Sequence, residues 1–176
     1  MAENRRVRLT KRLMKDALLE LLESKPLEKI KVTDVCAAAD VNRSTFYAYY
    51  SDVLGLLREI EDELIDGSPA MNSGSDYSEE KFLSELEEYF EFVRQNERLF
   101  RILLVRRSSD EFNRRLIDAV MERCSPVSSA AKGRYTYVFC ESGVVGILRD
   151  WISDGFPVPS GDFAALVLKL CTSAAS

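Results

Sequence analysis

The 176-residue sequence has no histidine, only four cysteines, five prolines and eight glycines, and a single tryptophan. Each scarcity narrows what the chain does. Without histidine it lacks the commonest general base and the commonest neutral metal ligand, so the expectation is a protein that is not an enzyme and holds no metal or cofactor. Cys36, Cys124, Cys140 and Cys171 lie far apart with no CxxC pair. Each sits in an apolar helical pattern, so they read as buried free thiols rather than a zinc site or a disulfide framework. Few helix breakers leave room for long helices. No apolar run reaches the roughly eighteen residues of a membrane span, and the opening MAENRRVRLTKR has no apolar segment behind its basic residues. The expectation is a cytoplasmic protein without a membrane span.

What the chain does have is 46% hydrophobic and 30% charged residues, an ordinary globular balance. The charge is unevenly placed. Residues 1–50 carry ten Lys or Arg against seven Asp or Glu, a balance of +3, while the remainder carries −8 of the net −5. A basic head on an acidic body suits a protein whose head meets a polyanion while its body stays off it.

Five of the residues from 3 to 12 are basic and precede any apolar periodicity, which predicts a mobile arm able to track phosphates or enter a minor groove. From Thr10, a plausible N-cap, Leu13, Met14, Ala17, Leu18, Leu21 and Leu22 recur at helical spacing until Pro26 ends the helix near Ser24. The stretch KVTDVCAAADVNRSTFYAYY, residues 31–50, then reads as a helix-turn-helix. Thr33 is placed to cap a short helix with Val35, Cys36 and Ala39 inward, Asp40-Val41-Asn42 forms the junction, and a second short helix ends near Tyr49. Helical spacing turns Val41, Thr45 or Phe46, and Tyr49 or Tyr50 toward the core and leaves Arg43, Ser44 and Tyr47 on the outer face. An arginine, hydroxyls and aromatic edges on such a face can read bases and hold phosphates in a major groove.

The run TDVCAAADVNRSTFYAYYSDVLGLL, Thr33 to Leu57, closely resembles the DNA-binding signature of the TetR family of bacterial transcriptional regulators, including the Thr45-Phe46-Tyr47 core and the aromatic at Tyr50. By that resemblance Arg5 and Arg6 of the arm, Thr33, Asn42, Arg43, Ser44, Tyr47 and Tyr49 fall at positions that members use on DNA, with Thr45 between packing and contact. Members usually carry a phosphate-binding lysine at the start of the fourth helix, where this chain has Val53. The resemblance implies an all-α fold of about nine helices. A three-helix DNA-binding domain, residues 1–55, precedes a helical ligand-binding and dimerisation domain, residues 56–176.

Beyond the head, a fourth helix over about 52–65 exposes Arg58, Glu59, Glu61, Asp62 and Glu63, and residues 66–78 read as a connector. A fifth helix, about 79–94, opposes Phe82, Leu83, Leu86, Phe90 and Val93 to an acidic face read as solvated. Ser108 and Glu111 form a capping box for a helix ending near Cys124. The longest pattern, about 129–154, is apolar nearly all round between Val138 and Leu148, so it must be covered on two sides. One protomer has too few helices to cover it. This predicts a two-fold homodimer through this helix and the last one, with Val145, Leu148, Trp151, Ile152, Phe163, Leu166, Val167 and Leu170 at the interface. The runs NERLFRILL and GVVGILRDWISDG resemble the C-terminal domains of TetR-like proteins of the dihydroxyacetone kinase regulator group.

The resulting expectation is a dimeric repressor that binds an inverted-repeat operator in double-stranded DNA and is released by a small-molecule effector. Polar groups inside apolar patterns are the candidates for an effector site: Glu141 first, then Tyr135, Tyr137 and Arg106. The alternative is a transcriptional co-regulator or adaptor whose C-terminal bundle binds a protein partner.

Overall fold

The computed structural model describes residues 5–69, 78–107, 109–121 and 131–175. Among these the chain is all-α, with nine α-helices and no strand. It divides into two compact units, Met1–Asp66 and Gly67–Ser176. The first extends past the expected division at residue 55 because α4 packs on α1.

In the first unit α1 runs Arg5–Ser24, α2 Val32–Ala38, α3 Arg43–Tyr47 and α4 Val53–Asp66, with a single 3₁₀ turn at Leu27–Lys29. The basic arm from Arg5 onward is therefore the first turns of α1 and not an extended segment. Arg, Lys and Leu are good helix formers, and Thr10, expected as the cap, lies inside the helix, where its hydroxyl donates to the Arg6 carbonyl at 2.9 Å. Met14, Leu18, Val35, Phe46, Leu56 and Leu57 are the fully buried centre, while Leu13, expected inside, is exposed. Glu61, expected outside, is 4% exposed. It lies four residues after Leu57 and three before Leu64, on the face that α4 buries.

Two ion-paired lysines tie α1 to α4. Lys15 reaches Glu59 at 2.7 Å and also pairs with Glu63, and Lys11 reaches Glu59 at 3.2 Å. Burial disfavours the Glu59 carboxylate, but hydrogen bonds from Lys15 and Lys11 outweigh it and hold Glu59 below the usual range. Burial likewise opposes the Lys15 charge, and Glu59 and Glu63 reverse that and raise its pKa.

In the second unit α5 (Glu79–Gln95) packs most extensively on α9 (Ser160–Ala175), and α8 (Ala131–Ser153) packs on α9. Between them α6 (Glu97–Phe100) runs directly into a π-helical turn, Arg101–Arg106, before α7 (Asp110–Met121). Wider π turns displace the regular carbonyl pairing. Here Arg149 of α8 donates to the Leu104 carbonyl at 2.9 Å, and Arg101 donates to the Ile152 carbonyl at 2.6 Å. Trp151 stacks on Phe163 at 4.3 Å, Phe90 meets Phe163 edge-on at 4.8 Å, and the indole N–H donates to the Val158 carbonyl at 2.8 Å.

The acidic face of α5 is not wholly solvated. Glu91 accepts from the buried Ser160 hydroxyl at 3.0 Å, and a Cβ on Gly161 would meet Glu87 Oε1 at 2.9 Å. Two carboxylates thus face the N-terminus of α9, where the helix dipole favours them. Ser108 lies outside the described residues; Ser109 stands before α7, its hydroxyl accepting from the Phe112 N–H at 3.4 Å. Cys124 and most of the connector at 66–78 also lie outside them. Cys36 is buried, whereas Cys140 and Cys171 are only half-buried. Burial, followed by the neighbouring Cys140, pushes the Cys171 thiol up to about 12.

Candidate nucleic-acid interface

The turn between α2 and α3 is tight because Asp40 adopts a left-handed conformation, φ 52°, and Val41 N–H returns to the Cys36 carbonyl at 3.0 Å. This is a helix ending in which a residue past the C-cap takes αL geometry and releases the chain at a sharp angle. An aspartate tolerates that geometry better than most residues other than glycine and asparagine. Asn42, extended at φ −75°, ψ 150°, then starts α3.

The five residues of α3 divide sharply. Phe46 is fully buried, edge-on to Tyr47 at 5.7 Å and tilted against Tyr50 at the same distance, so it fixes the helix to the core. Asn42, Arg43 and Ser44 are exposed, Tyr47 is 51% exposed, and Thr45 is half-buried. Tyr49, just past the helix, is half-buried, with the Lys11 ammonium 6.0 Å from its ring centre. That contact draws Tyr49 into the junction of α1 with the end of α3. Thr33 is exposed but is the second residue of α2 and not its cap. Lys31 occupies the cap position, and Asp34 accepts its backbone N–H at 3.1 Å.

Thr33, Arg43 and Tyr47 come together along an open groove of about 550 Å³, whose lining also includes Lys31, Asp52, Val53 and Leu54. Arg5 and Arg6 are exposed on the first turn of α1 and do not line it. Two residues of this groove were missed from the sequence. Asp52 stands before α4, and its carboxylate accepts the Gly55 N–H at 2.7 Å, so the helix start is capped from within. An Asp immediately before an apolar helical pattern is a cap signal that could have revealed it. Lys31 carries no such signal, since only the folded groove brings it beside Arg43 and Tyr47. Val53, 8% exposed, turns into the core. The Arg43 charge also acts on Cys36, opposing the rise that burial gives its thiol.

Of the eight residues expected at a dimer interface, the protomer itself buries Val145, Leu148, Trp151, Ile152, Phe163 and Val167, and leaves Leu166 and Leu170 exposed. The side of α8 that α9 does not cover shows Tyr135, Val138 and Phe139 instead, Tyr135 being 77% and Phe139 67% exposed. Gly143 and Gly146 are exposed on the same helix, with open space where a Cβ would stand. Among the effector candidates, Glu141 is half-buried and Arg106 exposed. Tyr137 donates to Asp118 at 3.2 Å, and burial together with that carboxylate raises its pKa. Among the described residues there is no cluster able to hold a metal ion and no helix long and apolar enough to cross a membrane.

Three solved structures share this architecture. A TetR transcriptional regulator from Streptococcus agalactiae 2603V superposes with a TM-score of 0.74 at 23% identity, over 95% of this chain and 96% of that one. The fatty acid degradation regulator FadR from Bacillus halodurans gives 0.63 at 14%, over 97% and 96%. The dihydroxyacetone kinase operon activator DhaS gives 0.54 at 20%, over 93% and 94%. At these identities the likeness speaks for the fold. No curated protein matches the sequence significantly. Residues 80–173, more than half of the chain, match a TetR family described as "transcriptional regulator C-terminal region". The protein therefore belongs to the TetR family of transcriptional regulators.

Proposed function

We propose that the protein is a sequence-specific repressor that binds an inverted-repeat operator in double-stranded DNA as a homodimer in the cytoplasm, with residues 1–55 reading DNA and residues 56–176 dimerising and taking a small-molecule effector. The observation that carries the reading is the division of α3. Phe46 is locked inside while Arg43, Ser44 and Tyr47 stand out together on a helix one and a half turns long. That is the geometry of a recognition helix, in which a bidentate arginine and neighbouring hydroxyls meet base edges and phosphates. Asn42, Thr33 and Tyr49 border the same surface, Thr45 lies between packing and contact, and Arg5 and Arg6 supply charge from α1.

Dimerisation is supported by the uncovered apolar residues of α8 and α9. Tyr135, Val138, Phe139, Leu166 and Leu170 are large apolar groups that a monomer leaves in water, and a two-fold pairing of the same surface buries them on both copies at once. The exposed Gly143 and Gly146 give a second backbone room to approach. The six inward residues named from the sequence then serve as the floor beneath the interface and not as its contact surface.

Selection of bound duplexes from a random pool tests the reading. The expected product is a single enriched sequence with inverted half-sites separated by about one helical turn or a multiple of it. Recovery of no enriched sequence, or of a single unrepeated half-site, overturns sequence-specific binding by a dimer.

A further inference from the structure

We propose that Lys31 is a DNA phosphate contact, gripping the backbone within the groove beside α3, and that Asp52 across the groove weakens that grip. The inference rests on the DNA-binding reading above and adds to it two residues that the helix-turn-helix pattern did not single out.

The groove is lined by the two basic side chains Lys31 and Arg43 and the hydroxyls of Thr33 and Tyr47, with the carboxylates of Glu28 and Asp52 also on its lining. Arg43 belongs to the outer face of α3, where its planar fork suits a base edge; a lysine is a compact point charge suited to a phosphate. Lys31 is exposed and its ammonium makes no ion pair among the described residues, whereas Lys11, Lys15 and Lys25 are all engaged by carboxylates. Its main chain is nevertheless fixed, because Asp34 holds its backbone N–H. A cation without an ion pair among the described residues, on an anchored backbone and along the same groove as two hydroxyl donors, is suited to hold a phosphate of the DNA backbone.

The α4 side of the groove offers little to an anion. Asp52 already occupies the Gly55 N–H that an incoming phosphate would use, and it brings a negative charge of its own. Val53 is turned into the core. With Arg43 assigned to a base edge, the remaining cation on the groove lining is Lys31.

The test compares the intact wild-type protein with Lys31→Gln, Lys31→Arg and Asp52→Asn, measuring binding to a duplex recovered from the selection and to a random-sequence duplex between 50 and 200 mM salt. Removing one phosphate contact is expected to shallow the slope of log affinity against log salt by about 1, about a fourfold change across that salt range. Lys31→Gln should do this on both duplexes and Lys31→Arg should restore the slope. Asn retains the capping ability of Asp, so Asp52→Asn should bind both duplexes more tightly than the wild type. A wild type that binds neither duplex overturns the DNA-binding reading itself. A wild type that binds, with Lys31→Gln keeping its slope, overturns only the assignment of Lys31. So does a Lys31→Gln loss confined to the selected duplex, which would mean base readout. Unchanged or weaker binding by Asp52→Asn overturns the opposing role of Asp52.

Discussion

The five-residue α3 and the twenty-three-residue α8 both leave one side uncovered by their own unit, and they leave opposite chemistry there. On α3 the outward groups are Asn42, Arg43, Ser44 and Tyr47, each with a polar or charged end. On α8 they are Tyr135, Val138 and Phe139, with Gly143 and Gly146 beside them. Polar groups facing water are costless until a hydrogen-bonding surface arrives, and then they select for its pattern. Apolar groups facing water cost roughly 25 cal/mol for every Å² until something dry covers them. The proposed reading puts a polyanion on α3 and a second protein surface on α8, and it can be broken on either side.

The largest expected effect is on the α8 side. Phe139→Asp puts a charge among the exposed apolar residues of α8, at a side chain that is 67% exposed in the protomer. Sedimentation should show a monomer, the circular dichroism should stay helical, and affinity for a two-half-site duplex should fall by about 10²–10⁴-fold with the loss of paired binding. A dimer that persists at micromolar concentration would mean that the apolar side of α8 is not the dimer surface. On the α3 side, Phe46→Ala deletes a fully buried ring and should cost about 3–5 kcal/mol of the head's stability, read by chemical denaturation. A small loss there would mean that α3 is not pinned through this ring, and the division of its faces would lose its meaning.

How much of this was legible in the sequence depended on how local the cause was. The α2–turn–α3 unit was readable because its apolar spacing, its Asp40 junction and its short helices are decided within twenty residues. The start of α1 was not, because basic residues that look like a loose arm are also good helix formers, and Thr10 lies inside the helix as easily as before it. Val145, Leu148, Trp151, Ile152, Phe163 and Val167, expected at a dimer interface, are buried within the protomer; periodicity shows that such groups are apolar and on one face, but it cannot say which element covers them. The answer, α5 and α9 of the same chain for much of that surface, lies across long sequence separations. Glu61 shows where charge misleads and phase does not: its side chain favours an outward position, yet it lies on the Leu57–Leu64 face and is buried. Lys31 and Asp52 come together only in the folded groove.

A smaller effect separates readout from attachment within α3 itself. Arg43→Ala should cost about 1–3 kcal/mol on the selected duplex and relax preference at one base position, while leaving the unfolding midpoint near its wild-type value because the side chain is exposed. Competition binding against single-base variants of the selected site measures both. Equal losses on selected and random DNA would reduce Arg43 to a phosphate contact and make the outer face of α3 a charge surface without base readout.

The smallest effect concerns how the head holds together and follows from the signs of two shifts. Glu59 is held below its ordinary value of 4.5, so its contribution is complete above that value and is lost as pH falls through the lowered one. Lys15 is held above its ordinary value of 10.5, so its contribution is complete below that value and is lost as pH rises through the raised one. The α1–α4 tie is therefore intact across the whole neutral range and fails only at the extremes. Glu59→Gln should remove the acid-side part of this dependence and lower stability by roughly 1 kcal/mol or less, since the groups are partly solvated. Denaturation midpoints of wild type and Glu59→Gln between pH 3 and 7 measure it: the two curves should converge as pH falls. A gap that widens toward low pH would mean that the Glu59 carboxylate is not favoured in the folded state.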